Sequence, residues 1–217
     1  MFWRSFIAKS LLAGIVLAGL SFMPLTGRAE STHIFSAQFL SGLATRYGKG
    51  AKERLLALRE LVLENEGLSD REKLEAVNSF WNRTPARRGR VRKSLATPVE
   101  TLAANLADCK DYSTGKYLTL VAMGVDAKKL RLAYVIGRHG PHMVLKYHES
   151  PELVPLVLDN VALAILPEDM RPDLRMVLAF NDHGMWVFNM SGQMVRQIST
   201  SPGFWRKMRA RIGREPG

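Results

Sequence analysis

The order of the chain predicts an α+β domain, with helices first and an antiparallel sheet after them. Up to Gly124, apolar residues recur at helical spacing between capping signals. Beyond it come six short runs rich in Val, Leu, Ile and Tyr, separated by Gly, Pro and Asn-Asp breakers. A third observation marks the join: Cys109, the only cysteine in 217 residues, lies where the last of those helices should begin. No internal repeat or low-complexity tract interrupts this order.

The first 29 residues read as a signal peptide. Arg4 and Lys9 precede an apolar core from Leu11 to Leu25, and Gly27-Arg28-Ala29 offers a small-x-small cleavage site. Left uncleaved, the segment would be a short anchor, since its core is below the roughly 20 residues of a spanning helix. Either way the expected location is the periplasm or the outer face of the inner membrane. Residues 30–217 then form one domain. The chain carries a net charge of +11, and removal of the three positive charges in the first 29 residues leaves +8. Such a surface suits acidic partners, but no aromatic residues interleave the basic ones to stack bases, and export excludes nucleic acid as a partner.

Helical periodicity begins over Ile34 to Tyr47 and is clearer from Ala51 to Asn65, where Leu55, Leu58, Leu61 and Val62 share a face. Ser69 with Glu72 is a capping-box signature, and the helix it opens runs through Leu74, Val77 and Phe80 to about Trp81. Arg83 to Lys93 contains six basic residues with Pro85 and Gly89 and reads as an exposed loop. Thr97-Pro98-Val99-Glu100 has a cap, a first-position proline and a third-position acid, so it starts a short helix.

Asp108, with Asp111 three residues on, caps the next helix and puts Cys109 at its first position. Unpaired amides and the positive end of the helix favour a thiolate there. The helix continues to Met123 and stops at Gly124. The strands expected after it are Leu130–Ile136, His142–His148, Leu153–Leu158, Arg175–Phe180, Met185–Met190 and Gln193–Ile198, in meander order. A basic helix from Pro202 to Ile212, with Phe204, Met208 and Ile212 in line, closes the chain. Its default role is packing, with membrane contact open to it through its basic face, as it is to an uncleaved N-terminal segment.

A cysteine nucleophile needs a base and a group that orients the base. His33 lies beside the cleavage site, His183 in a hairpin turn and His139 in a glycine-flanked loop, while His148 ends a strand at its far end. His142 opens a strand directly after Gly140-Pro141 and is the best candidate. Asp159 closes the apolar run Leu156-Val157-Leu158, where an unpaired carboxylate would be costly. A hairpin turning near Pro151 sets Asp159 almost opposite His142, with Asn160 as a second candidate orienter. One cysteine and scattered histidines make no zinc site, and no phosphate or dinucleotide cradle is present, so no cofactor is expected.

These residues resemble, in order and spacing, the bacterial transglutaminase-like cysteine peptidases, the family of the LapG-type adhesin proteases. The likeness rests on Asp108-Cys109-Lys110-Asp111-Tyr112, Pro141-His142-Met143-Val144-Leu145 and Leu156-Val157-Leu158-Asp159-Asn160. It extends to Ala76-Val77-Asn78, Asn82-Arg83, Ala96-Thr97-Pro98 and Arg171-Pro172-Asp173-Leu174, across about residues 70 to 190. It implies a papain-like fold, a Cys109–His142–Asp159 triad, and periplasmic cleavage of large surface adhesins. It also implies control by an inner-membrane cyclic di-GMP receptor and a calcium requirement. Members carry an acid after the cysteine that helps bind calcium; here Lys110 stands there and would repel the ion, so no metal is expected. The basic loop from Arg87 to Lys93 likewise replaces an acidic segment. The resulting function is a thiol peptidase. A transglutaminase passing the same thioester to an amine, and an inactive relative that only binds protein, are the alternatives.

Overall fold

A computed structural model describes residue 42, residues 45–87 and residues 94–212. The expected signal segment, most of the Ile34–Tyr47 helix, His33 and positions 88–93 of the basic stretch lie outside the described residues. Helices α1 (Lys49–Glu64), α2 (Asp70–Asn82), α3 (Pro98–Ala104) and α4 (Cys109–Ala122) come first. Strands β1 (Leu130–Gly137), β2 (Gly140–Tyr147), β3 (Leu156–Leu158), β4 (Leu166–Pro167), β5 (Arg175–Phe180), β6 (Met185–Phe188) and β7 (Met194–Ile198) follow, and α5 (Gly203–Ile212) comes last.

The caps read from sequence are all made. Ser69, Thr97 and Asp108 each accept the third-residue amide, and Glu72, Glu100 and Asp111 bond back to the cap backbone. Helix α1 buries Ala51, Leu55, Leu58 and Val62. Its Arg54 reaches the end of α3, donating from Nε to the Leu102 carbonyl (2.6 Å) and from Nη2 to that of Ala103 (3.3 Å). A cation thus satisfies carbonyls that a helix end leaves open.

The seven strands form one antiparallel sheet in the order β4-β3-β2-β1-β5-β6-β7. This corrects the plain meander: after four strands on one side, the chain returns past β1 and continues on its other side. Strand β4 was not anticipated, because two residues ending in proline carry no alternating pattern. Alternation divides the sheet between two cores. Leu130, Leu132, Met143, Leu145, Tyr147, Leu158 and Phe180 join the main core with the helices. Ala133, Val135, Val144, Val157, Met176, Ala179 and Trp186 form a smaller cluster.

Helix α4 is buried on nearly every side from Lys110 to Leu120, as befits a helix enclosed by α2, α3 and the sheet. Its approach to α2 requires glycine. A Cβ on Gly115 would lie 2.6 Å from three ring atoms of Trp81, whose Nε1 donates to Thr119 Oγ1 at 3.0 Å. Gly115→Ala should therefore cost about 2 kcal/mol by overpacking despite its better helix propensity. Urea unfolding at neutral pH measures this, and an unchanged midpoint would count against so close a contact.

Helix α5 packs on the domain through Trp205, Met208 and Ile212, whereas Phe204 lies at the edge, 43 % exposed with its ring against Phe180, so the fully buried stripe begins one residue later than the sequence pattern placed it. Trp205 Nε1 donates to Asp182 Oδ1 (2.7 Å), and Arg211 donates to the Leu95 carbonyl (2.6 Å) and to Glu100 (3.1 Å). The basic stretch also departs from a free loop at its start. Thr84 is buried, and residues 85–87 bridge to Ala107, two residues before Cys109.

Candidate active site

Cys109 is the first residue of α4, with the Asp108 cap behind it. Asp108 Oδ1 accepts the amides of Lys110 (2.9 Å) and Asp111 (3.3 Å), and the Asp108 amide donates to Asp111 Oδ2 (3.0 Å). These bonds fix the turn, and the side chain of Cys109 is half-buried. One turn on, Ser113 Oγ lies 2.9 Å from the carbonyl oxygens of both Cys109 and Met143, which share its proton. Met143 follows His142 in β2, so this hydroxyl locks the spacing between the cysteine and the histidine.

His142 Nε2 donates to Asp159 Oδ1 at 2.7 Å, which leaves Nδ1 for Cys109, whose side chain lies close enough to bear on the imidazolium. Burial by itself would depress the imidazolium. The hydrogen bonds and charges of Asp159 and Cys109 outweigh it and raise His142 to about 9. The structure thus pairs His142 with Asp159 and sets Cys109 close to the imidazole, although the strand register differs from the expected one. Leu145 pairs with Leu158, so Asp159 is the first residue past the ladder and would face Val144. His142 is two residues beyond that position, a diagonal neighbour.

Asp159 is 1 % exposed and bound on all sides. Its Oδ1 also accepts the amides of Asn160 (2.7 Å) and Val161 (3.1 Å), and Arg171 Nη2 donates to Oδ2 at 2.9 Å. Burial opposes its charge, but the His142 hydrogen bond and charge, the Val161 amide and Arg171 together hold the carboxyl far below the usual carboxylate range. Arg171 is itself held by Asp173, through Nε–Oδ1 and Nη2–Oδ2 bonds of 2.9 Å each. Asn160 contributes its backbone amide to Asp159.

Sequence reasoning assigned no role to three further side chains, of which Arg171 entered only as part of the family likeness. Lys116, two helical turns after Cys109, is buried and donates from Nζ to the Asp159 carbonyl (2.9 Å), which also accepts Asn82 Nδ2 (3.0 Å). Burial pulls its ammonium down to about 7 while the charge of Asp159 opposes the fall. A lysine at i+7 from the cysteine within a run of buried residues was the available signal. Arg171 is the partner that the costly burial of Asp159 required. Tyr134, opposite Met143 on β1, lies close enough to Cys109 and Asp108 that burial, with their charges, raises its phenol to about 12. The other candidate histidines stand apart. His148 begins where β2 ends, at the opposite end from His142, and burial with Arg131 and Lys146 lowers it to about 3. His139 occupies the β1–β2 turn and His183 the β5–β6 turn.

No protein-family model and no curated protein matches the chain. Solved structures do. EGTA-treated LapG from Legionella pneumophila is 33 % identical, with a TM-score of 0.70 over 80 % of this chain and 95 % of that one. The calcium-bound form is 32 % identical with a TM-score of 0.71, covering 80 % and 97 %. At that identity and coverage, with helices packed on a seven-stranded antiparallel sheet, the chain belongs to the LapG-type family of transglutaminase-like cysteine peptidases.

Proposed function

We propose that this protein is a cysteine peptidase in which Cys109 is the nucleophile, His142 the general acid and base, and Asp159 the group that orients His142. The observation that carries this reading is the 2.7 Å bond between His142 and the buried, fully satisfied Asp159, with Cys109 at the helix start close enough to the imidazole to raise it. Cys109 Sγ attacks the peptide carbonyl carbon, and the oxyanion is met in part by the Cys109 amide, one of the unpaired donors at the helix start. Protonated His142 gives its proton to the departing amine, leaving a thioester. Water, deprotonated by His142, attacks the thioester and releases the acid, and the thiol is restored.

The substrate class we propose is a large surface adhesin met in the periplasm, under control of an inner-membrane cyclic di-GMP receptor. Family membership and the signal-like sequence of residues 1–29 support this. The test is incubation of the purified protein with the N-terminal fragment of a large repeat adhesin from the same cell, plus a fluorescent primary amine. A new free N-terminus in the fragment supports hydrolysis. Incorporation of the amine would make the protein a transglutaminase, and neither product would make it a binding protein.

The pH profile supplies a second check. With His142 raised from its ordinary 6.5 to about 9, kcat/KM should fall through an alkaline limb near 9 as the imidazolium loses its proton. The same proton stabilises the fold fully below about pH 6.5 and ceases to do so as pH rises through about 9. In Asp159→Ala the limb should move down toward the ordinary histidine value. A limb that stays in place would mean that Asp159 does not hold the imidazolium.

A further inference from the structure

Beside the Cys109–His142 contact lies a buried ion pair that the proposed chemistry does not use. Lys110 Nζ sits 3.1 Å from Asp108 Oδ2, with the two side chains only 10 % and 5 % exposed. Asp108 Oδ1 is committed to capping, and Asp111 places a second carboxylate in the same turn. Two buried carboxylates in one turn repel each other, and positive charge beside them, part of it the Lys110 ammonium, relieves that repulsion.

In a family with a calcium-bound relative, a divalent ion is one source of that charge. The residues here do not fit it. Calcium takes six to eight oxygen ligands, roughly 2.3–2.6 Å away. Among the described residues no group of three or more His, Cys, Asp and Glu side chains converges to hold a metal. The Asp108 oxygen left over from capping bears an ammonium, which offers no lone pair and repels a cation at that distance.

We infer that Lys110 is a built-in counter-ion for the Cys109 turn, a positioning residue that makes the geometry and reactivity of Cys109 independent of calcium. This goes beyond the peptidase reading and rests on it only for family membership. The pair holds the carboxylate that caps the helix bearing the nucleophile, so it acts on Cys109 through the turn.

The test follows the thermal midpoint and the rate of iodoacetamide labelling of Cys109, the single thiol, in the purified full-length chain. Both are read in EGTA, in calcium chloride and in magnesium chloride. The natural protein should give the same midpoint and rate in all three. Lys110→Met, which takes the ammonium away from Asp108 Oδ2, should melt about 5 °C lower in every buffer. Lys110→Glu should be weakened in EGTA and recover both midpoint and labelling rate in calcium but not in magnesium, a rescue that lost packing would not show. The inference is overturned if calcium stabilises the natural protein or EGTA weakens it, if Lys110→Met melts like the natural protein, or if Lys110→Glu ignores calcium. Should Lys110→Glu fail to fold, the other two proteins decide. A protein with calcium-indifferent midpoint and labelling that cleaves no peptide would overturn the peptidase reading alone.

Discussion

Cys109→Ser should lower turnover of a cleavable adhesin fragment by about 10⁴-fold or more, and His142→Ala should cost about as much. If the two act as one unit, as the closeness of Cys109 to an imidazole held by Asp159 leads us to propose, the double variant should be no worse than either single one. A binding protein with a spectator cysteine predicts a different pattern, and alkylation separates the two. If His142 supplies a positive partner to the thiol, His142→Ala should slow labelling of Cys109 by about tenfold or more at mildly acidic pH. His148→Ala and His183→Ala should not, because those residues stand at the far end of β2 and in the β5–β6 turn. Labelling that ignores His142, or occurs only on unfolding, would reduce Cys109 to a packing residue.

What the sequence discloses here is mostly local. The caps at Ser69, Thr97 and Asp108 formed because both halves of each box lie within four residues of one another. The meeting of Cys109, His142 and Asp159 was legible for a related reason: helix start, strand start and strand end are each marked by neighbouring residues, and a hairpin brings the last two together. Long-range choices were not legible. The return of the chain past β1 leaves no trace in strand periodicity. Lys116 looks like an ordinary charge on a helix until α2, α3 and the sheet enclose it. Phe204 and Trp205 are both large and aromatic and both reach Phe180; what buries Trp205 is its added contact with Tyr117 and its hydrogen bond to Asp182. The pairing of Ala86 with Ala107 could not be read from a stretch whose composition suggested only a solvated loop.

Asp159 and Arg171 should show the largest effect on stability together with one on turnover, and the two effects should separate. Asp159→Asn keeps the shape of the side chain but removes its charge and confuses the histidine tautomer, so turnover should fall by about 10²- to 10⁴-fold, less than for Cys109→Ser. Arg171→Met removes the guanidinium from Asp159 Oδ2 and from Asp173, leaving Asp159 charged and buried with fewer donors. That should cost about 3 kcal/mol in urea unfolding at about pH 7. Because the two side chains are in direct contact, the double variant should lose less than the sum of the single losses, by about 1 kcal/mol or more. The pH dependence has a definite sign. The folded-state carboxyl is held far below its unfolded value, so its stabilisation is complete above about pH 4 and is lost as pH falls toward the folded value. The natural protein should therefore weaken steeply from about pH 4 to about pH 2, and Asp159→Asn should flatten that part of the curve. Equal slopes in the two proteins would show that Asp159 is not the buried, cation-held carboxylate that His142 leans on.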